Sequence, residues 1–359
     1  MKTKIFLRLV LLIALYGCSP APITPEMPTT TVEITLPSQI PVSESPATTV
    51  CYPVFNPVGF LADGDRLIGL MTIDGQTGTY LQSLDLKSLT VQTILKSDQF
   101  PVAPILSPNR QQLAWALPDF RAQIIDLQRG DVVSTLSGHT DMLNALVFSP
   151  DGSKLYSGSS DGSVIIWDKS GDMVDSFQPT GADDLPADLL GLGISPDGKT
   201  LITIPFDGNA KAWDTLSHQK VGEYQGAILG SYNGAKAIFS PDGQFMVIGL
   251  AGGPGTASMW RVSDSTKLWT GGFFADFDFS PDNRYFAHGQ PTEDYQAEIV
   301  ISSPDAQTIF QTLKIQGLPL GSLFFSPDST KLVVPVATGI DLWNVSDGTL
   351  LKSYKPNCP

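Results

Sequence analysis

The chain has 359 residues, of which 42% are hydrophobic and 16% charged, so it can bury a sizeable core in one or two domains. Its 33 glycines and 28 prolines favour many short strands and turns over long helices. The formal net charge of −14, from 36 acidic and 22 basic residues, excludes a basic nucleic-acid-binding surface. The three cysteines and three histidines are widely scattered and provide no ligand set for zinc. We therefore expect no nucleic-acid partner, no metal site and no cofactor.

The first residues have the pattern of an export signal. Two lysines precede an apolar run from residue 5 to 16 that only Arg8 interrupts, which is too short to cross a hydrocarbon core about 30 Å thick. The run ends in a sequence that resembles a bacterial lipoprotein box, Leu15-Tyr16-Gly17-Cys18. The resemblance implies that residues 1–17 are a signal peptide and that Cys18 carries a lipid, so the mature protein is extracytoplasmic and anchored to a bacterial membrane in the cell envelope. The alternative is an ordinary signal peptide in which the cysteine is incidental.

Residues 18–50 are predicted to link this anchor to the folded part of the chain. Positions 19–50 contain seven prolines, seven threonines and four serines. Such a composition cannot bury enough apolar surface to offset its ordering entropy, and the prolines favour an extended polyproline geometry. We expect a semi-rigid stalk that holds the following residues away from the membrane.

From residue 51 onward the chain repeats with a period of about 44 residues. The repeated phrase is an apolar residue and Ser-Pro-Asp (Ser-Pro-Asn in its first occurrence), with a further apolar residue five positions after the proline. Its prolines are Pro108, Pro150, Pro196, Pro241, Pro281 and Pro327. The same spacing projected backwards puts Ala62 in the proline position, which predicts seven repeats.

Each repeat reads as four strands separated by tight turns. In the third repeat we predict strands at 144–148, 154–159, 164–167 and 173–177, because β-branched and aromatic residues lie between turn-forming Pro, Gly and Asp. This pattern predicts an all-β fold, a seven-bladed β-propeller of four-stranded antiparallel blades that spans residues 51–358.

The third repeat resembles the WD-repeat family of β-propellers, since it contains Gly138-His139, Ser157, Asp161 and Trp167-Asp168. The resemblance implies a buried hydrogen-bond tetrad that stabilises the blade and is formed by His139, Ser157, Asp161 and Trp167. Other repeats retain only part of this pattern, namely Thr203, Asp207 and Trp213 in the fourth, Trp260 in the fifth and Trp343 in the seventh. We therefore expect apolar packing to hold most blades together.

Two sets of residues raise the question of catalysis. Residues 158–162 match the G-x-S-x-G nucleophile elbow, but that motif needs a strand-to-helix turn and here it lies between two predicted strands. Asp276 and Asp278 are unusual because Asp278 occupies a position that is apolar in other repeats. A carboxylate there must be hydrated in the channel, paired or bound to a cation, and Lys236 offers a partner one blade earlier. We predict no catalytic residues and no enzyme activity.

The WD-repeat resemblance implies an interaction platform, so the predicted function is a non-catalytic scaffold with a protein as its partner. The alternative is a propeller enzyme or a small-ligand receptor that uses the central channel. We predict that the partner binds the face formed by the second-to-third strand turns and the inter-blade loops, where the longest loops fall; the alternative is that these loops are simply solvated. The candidate partner-binding residues are Asp183, Asp184, Asp188, Glu293, Asp294 and Tyr295.

The last prediction is a disulfide between Cys51 and Cys358. The first repeat starts at its own inner strand, near 58–62, and the last repeat is complete, so no exchanged strand would interlock the ends of the ring. A closed ring brings these ends together, and export places them in an oxidising compartment. The alternative is two unpaired thiols.

Overall fold

The structure is a computed structural model that describes residues 54–72, 78–179, 187–225, 235–250, 255–273, 276–292, 297–316, 321–337 and 339–355. All of these residues belong to the second of two compact units, Val50–Pro359. The regular elements in the described ranges are β-strands, and none of these ranges contains a helix long and apolar enough to span a membrane.

The strands follow one another as antiparallel meanders, in which each of four consecutive strands pairs with the next. The first meander comprises β1 (Val54–Phe60), β2 (Arg66–Thr72), β3 (Thr79–Asp85) and β4 (Val91–Ser97). The second comprises β5 (Val102–Leu106), β6 (Gln112–Ala116), β7 (Arg121–Asp126) and β8 (Asp131–Ser137). The third comprises β9 (Leu143–Phe148), β10 (Lys154–Ser159), β11 (Val164–Asp168) and β12 (Met173–Phe177).

Four further meanders complete the described residues. The fourth comprises β13 (Leu189–Ile194), β14 (Thr200–Pro205), β15 (Ala210–Asp214) and β16 (Lys220–Tyr224). The fifth comprises β17 (Ala235–Phe239), β18 (Phe245–Leu250), β19 (Gly255–Arg261) and β20 (Thr266–Phe273). The sixth comprises β21 (Phe277–Phe279), β22 (Phe286–Pro291), β23 (Ala297–Ser302) and β24 (Ile309–Lys314). The seventh comprises β25 (Phe324–Phe325), β26 (Lys331–Val336), β27 (Gly339–Asn344) and β28 (Leu350–Tyr354). This arrangement confirms an all-β fold of four-stranded antiparallel sheets and is consistent with a β-propeller.

The strand boundaries of the third meander follow the sequence closely, whereas the first strand of the chain does not. In the third meander β10 and β12 have the predicted bounds, and β9 and β11 are each one residue longer. The inner strand expected near 58–62 is present but lies earlier in the chain, because β1 runs from Val54 to Phe60. It ends there because Leu61 donates its N–H to the carbonyl of Arg66 over 2.8 Å and so starts the turn that contains Ala62.

The Ser-Pro-Asp phrase forms the turn between the first and second strands of a meander. In the third meander the Ser149 hydroxyl donates to Asp151 Oδ1 over 2.6 Å and accepts the N–H of Lys154 over 2.9 Å. The residue after the aspartate adopts a positive φ, 65° at Gly152 and 61° at the non-glycine Ser329. The phrase is therefore a local hydrogen-bonded turn that the sequence alone specifies.

These turns contact one another from meander to meander. A Cβ placed on Gly152, Gly198 or Gly243 would lie 3.6–3.7 Å from the turn proline of the preceding meander. A Cβ on Gly64 would lie 3.6 Å from Pro327 of the seventh meander, so the last meander packs against the first. We call the surface that carries these turns the turn face.

The contact between the first and last meanders consists of packing and polar contacts. Lys331 Nζ lies 3.4 Å from Asp65 Oδ1, and Lys352 Nζ donates to the carbonyl of Lys87 over 2.7 Å. A buried apolar cluster also joins the two meanders, because it contains Phe60 of the first and Val333 of the seventh. Among the described strands β1 pairs only with β2 and β28 only with β27, so no exchanged strand joins the two meanders.

The fourth and fifth meanders share one eight-stranded sheet, which the repeat pattern did not predict. Their first strands, β13 and β17, pair in parallel, with Gly191 opposite Ala235. A Cβ on Gly191 would overlap the carbonyl oxygen of Ala235, and one on Gly193 would overlap that of Ala237. The missing side chains therefore let the two inner strands approach to hydrogen-bonding distance.

Candidate functional site

The predicted partner-binding surface lies opposite the turn face. Because neighbouring strands in a meander run in opposite directions, the turn between its second and third strands lies at the other end of the sheet. The loop from each fourth strand to the next meander lies at that same end. We call this surface the loop face.

Five large apolar side chains are exposed on the loop face of three consecutive meanders. Phe100 and Val102 precede or begin β5, Phe120 lies between β6 and β7, Met142 precedes β9, and Phe206 lies between β14 and β15. Their exposed fractions are 57%, 47%, 38%, 54% and 52%, respectively. Exposed apolar residues are normal on a protein surface, and eleven others in the described ranges lie on outer strands or in the turn before β16. The five residues therefore make the loop face a candidate binding surface.

Of the six candidate partner-binding residues, Asp188 is the one that the structure describes. It is exposed immediately before β13, and its carbonyl accepts the N–H of Phe206 over 2.9 Å, so it lies beside one of the five apolar residues. Asp183, Asp184, Glu293, Asp294 and Tyr295 lie outside the described residues, as do Cys18, Cys51 and Cys358. The sequence pointed to acidic loops and did not single out the five exposed apolar residues of the loop face. Aromatic residues at turn positions, such as Phe206 before Asp207-Gly208, were the available signal.

The structure brings His139, Ser157, Asp161 and Trp167 together in one buried chain of hydrogen bonds. Trp167 Nε1 donates to Ser157 Oγ over 2.8 Å, and Ser157 Oγ lies 2.8 Å from His139 Nε2. His139 Nδ1 lies 2.9 Å from Asp161 Oδ2. The carboxylate can only accept, so Nδ1 carries the proton and Nε2 accepts from the serine. The chain joins the loop before β9 to β10 and β11, which is a structural role.

The carboxylate of Asp161 is the charged end of this chain. Burial disfavours its ionisation, but hydrogen bonds from the Ser163 hydroxyl, the N–H groups of Thr140 and Ser163, and His139 outweigh burial and lower the pKa of Asp161 to about 2. Asp161 therefore stays ionised at neutral pH and holds the histidine in one orientation.

Other meanders retain the tryptophan with fewer partners. Trp213 Nε1 donates to Thr203 Oγ1 over 2.9 Å. Trp260 Nε1 and Trp343 Nε1 are buried and have no hydrogen-bond partner among the described residues. For Trp343, the strand register places Val334 where the third meander has Ser157. Apolar packing therefore holds these tryptophans in place.

The G-x-S-x-G match at 158–162 lies in the strand-to-strand turn between β10 and β11. The serine at the nucleophile position of this match is Ser160, which is half-buried. Its hydroxyl accepts a hydrogen bond from Asn144 Nδ2 over 2.9 Å, and its backbone N–H donates to the carbonyl of Met142 over 2.9 Å. Ser160 therefore has the contacts of a structural residue. Within the described ranges, no group of three or more His, Cys, Asp or Glu side chains could hold a metal ion.

A central cavity of about 850 Å³ lies between the first strands of the meanders. Each of these seven strands (β1, β5, β9, β13, β17, β21 and β25) contributes lining residues. The lining is mostly aliphatic and aromatic, and one carboxylate, Asp278, lines it. The cavity is therefore a second place where a ligand could bind, in addition to the loop face.

The two aspartates singled out in the sequence occupy different environments at this cavity. Asp276 is 1% exposed and forms a 2.7 Å ion pair with Lys236, the residue that the sequence offered as a possible partner at this place, and it also accepts a hydrogen bond from the Ser322 hydroxyl. Asp278 lies at the cavity wall, and its Oδ2 accepts the N–H of Phe325 over 2.9 Å. Protein surrounds Asp278 on most sides, and this burial raises its pKa to about 6.

Comparison with known proteins agrees with the repeat pattern. A family model described as "WD domain, G-beta repeat" matches residues 130–168, the segment that contains the tetrad. WD repeat-containing protein 36 of Homo sapiens is 36% identical over 96 residues, which are 26% of this chain and 10% of that protein. Transcription factor unc-37 of Caenorhabditis elegans is 32% identical over 210 residues, which are 58% of this chain and 31% of that protein. Protein LST8 homolog of Drosophila melanogaster is 26% identical over 135 residues, which are 35% of this chain and 39% of that protein.

These matches support a WD-repeat β-propeller family for the repeats, and they are compatible with a non-catalytic interaction role. The chain spans only about a tenth to two fifths of the length of the three relatives. All three are eukaryotic proteins, so the bacterial lipoprotein resemblance of residues 15–18 stays a prediction from the sequence.

Proposed function

We propose that this protein is a non-catalytic scaffold that binds a protein partner through the loop face, while a lipid on Cys18 tethers it to the outside of a bacterial membrane. The observation that carries the binding role is the set of exposed apolar residues on that face, Phe100, Val102, Phe120, Met142 and Phe206. Apolar and aromatic side chains of this kind provide most of the binding free energy in protein interfaces. Asp188 lies beside Phe206 and would form part of the polar rim of such an interface.

We also propose that the folded part is a seven-bladed propeller, with one meander per blade. The parallel pairing of β13 and β17 is a local approach of two neighbouring inner strands at Gly191 and Gly193, and the four-strand meander on each side of it is complete. The contact of the first meander with the seventh, through Lys331 and Asp65, supports a closed arrangement of these blades.

The tether and the disulfide are proposals that rest on the sequence. The lipoprotein box supports a lipid at Cys18, and the proline-rich stalk gives the propeller its distance from the membrane. The packing of the first meander against the last supports a Cys51–Cys358 bond between the ends of the ring. A Cys18→Ser variant should leave the membrane fraction, and mass spectrometry of the non-reduced protein should find Cys51 and Cys358 linked. Free thiols at both cysteines would contradict the disulfide.

Site-specific photo-crosslinking in intact cells tests the binding role. A photoreactive residue at Phe120, at the edge of the five apolar residues, should give a discrete crosslinked band. The band should disappear when Phe100, Met142 and Phe206 are all replaced by serine. The matched control replaces Met173, Val174 and Leu351 by serine, since these residues are 58%, 52% and 48% exposed but lie on outer strands. Loss of the band in both triple variants, or in neither, would contradict a partner on the loop face.

A further inference from the structure

The central cavity differs from a polar, water-filled channel in its lining. Val58, Val147, Ile194 and Ile238 lie among the lining residues, and these side chains come from four different inner strands. The volume of about 850 Å³ falls within the range of about 300–1,000 Å³ that is usual for sites that bind small molecules. An apolar wall of this size favours a ligand with an apolar body, because burial of both surfaces removes them from water.

Three of the four polar residues in the lining are already satisfied by the wall itself. Asn144 Nδ2 donates to Ser160 Oγ and to the carbonyl of Leu189, each over 2.9 Å. Lys236 Nζ donates to Asp276 over 2.7 Å and to the carbonyl of Phe277 over 3.2 Å. The third is Ser322, whose hydroxyl donates to Asp276.

Asp278 is the exception among these polar residues. Its carboxylate accepts backbone N–H groups, those of Phe325 and Phe279, and it forms no ion pair with any residue in the described ranges. Lys236 pairs with Asp276, and Arg110, whose charge also acts on Asp278, forms no ion pair with it and donates to the carbonyl of Phe60 over 2.6 Å. A carboxylate carries about four acceptor positions, so Asp278 retains acceptor capacity at the cavity wall.

We propose that the central cavity binds a small amphipathic amine, with its apolar body between the inner strands and its protonated amino group on the Asp278 carboxylate. A cationic head supplies the counter-ion that the wall does not provide, in surroundings of low dielectric where a direct ion pair is strong. An anionic head would be repelled by Asp278, and a neutral head would leave the charge unpaired. The inference does not rest on the proposed function. Val102 and Met142 belong to both surfaces, whereas Phe100, Phe120 and Phe206 are not among the residues that line the cavity.

The proposal predicts a pH dependence with a definite sign. Burial raises the pKa of Asp278 to about 6, and the other charged groups that act on it are Lys236, Asp276 and Arg110. Above that pH the carboxylate is ionised and pairs with the amine. Below it Asp278 is protonated, so affinity for the amine should fall about tenfold for each pH unit.

Isothermal titration of the full chain at pH 7.5 tests this with three matched probes, 4-phenylbutylamine, 4-phenylbutanol and 4-phenylbutyrate, against blanks without protein. We expect 4-phenylbutylamine to bind at least tenfold more tightly than 4-phenylbutanol, and 4-phenylbutyrate to bind most weakly of the three. Asp278→Asn keeps an oxygen to accept the Phe325 N–H, and in this variant the amine and the alcohol should bind equally within twofold. Asp131→Asn, with the same loss of charge at a side chain that is 57% exposed on β8, is the control and should behave as the wild type.

Each outcome decides the matter. Equal binding of amine and alcohol to the wild type, or no binding of any probe, overturns the proposal. An amine preference that survives in Asp278→Asn shows attraction to the acidic surface instead and also overturns it. If Asp278→Asn fails to fold, the wild-type affinity measured between pH 5 and pH 7.5 decides, because a flat profile contradicts a role for Asp278. None of these results bears on the crosslinking at the loop face.

Discussion

Replacing Ser157 by alanine removes one oxygen atom on which two buried side chains depend. Trp167 Nε1 donates to this oxygen over 2.8 Å, and His139 Nε2 lies 2.8 Å from it. Ser157 is 0% exposed, so water cannot take the place of the hydroxyl. The variant therefore leaves one donor and one acceptor buried without a partner.

The hydrogen-bond pattern sets the magnitude of the effect. A buried polar group without a partner costs about 1–3 kcal/mol, so the two such groups in Ser157→Ala should lower the free energy of unfolding by about 2–6 kcal/mol. Thr203→Val is the matched control, because it removes a hydroxyl that accepts from Trp213 Nε1 and nearly preserves the shape of the side chain. Because Thr203→Val leaves one donor without a partner and Ser157→Ala leaves two groups, we expect the smaller loss of about 1–3 kcal/mol for Thr203→Val.

Equilibrium urea denaturation of the full chain, followed by tryptophan fluorescence and circular dichroism, measures both variants as shifts in midpoint at unchanged slope. Val334→Thr places a hydroxyl near Trp343 Nε1, which has no partner among the described residues. This variant should raise the free energy of unfolding by about 0.5–1 kcal/mol. If Ser157→Ala costs no more than Thr203→Val, the link to His139 contributes nothing to stability. If both stay within about 0.5 kcal/mol of the wild type, as ordinary surface substitutions do, the reasoning is refuted.

Three further predictions concern the inner strands. Gly193→Val should destabilise the fold by about 2 kcal/mol or more in the same assay, because its side chain would overlap the carbonyl of Ala237; a midpoint equal to that of the wild type would contradict the close approach of β13 and β17. Lys236→Met should lower the free energy of unfolding by about 2–4 kcal/mol, because it leaves Asp276 charged without its ion pair. The double variant Lys236→Met/Asp276→Leu should recover part of this loss. A double variant that is less stable than the single one would contradict that explanation. Since the pKa of Asp278 is raised to about 6, its protonation stabilises the fold below about pH 4 and this contribution is lost as pH rises through 6. Asp278→Asn should therefore be more stable than the wild type by about 2–3 kcal/mol at pH 7.5 and equal to it near pH 4, and a difference that does not change with pH would contradict the raised pKa.

The parts of the fold that depend on neighbouring residues in the chain could be predicted from the sequence. The turn at Ser149 and Asp151 is one such part, since its hydrogen bonds join residues two to five positions apart. The tetrad is another, because the resemblance of the third repeat pointed to Trp167 and its partners, and the structure places them within hydrogen-bonding distance. Lys236 could be named as a possible partner because it and Asp276 occupy equivalent positions in consecutive repeats, but only the structure shows the ion pair with Asp276.

The candidate binding surfaces were harder to predict, because they depend on what is absent around a residue. Phe206 and Phe100 read as ordinary apolar residues in the sequence, and only the packed structure shows that they remain 52% and 57% exposed. Asp278 could be placed at the channel, but whether it has a counter-ion depends on which groups Lys236 and Arg110 contact. These two residues lie 42 and 168 positions from Asp278 in the sequence, so their contacts depend on the tertiary structure.

The sequence by itself determined the repeat, the four-strand pattern and the turns, because each arises from contacts within about one repeat of the chain. The tertiary structure alone decided that β13 and β17 share a sheet, that Lys331 meets Asp65 between the last and the first meander, and that the inner strands leave a cavity whose Asp278 has no ion-pair partner among the described residues. These features depend on the distance between separate meanders. That distance is set by the joint packing of many side chains, and the absence of a Cβ at Gly191 permits two strands to approach each other.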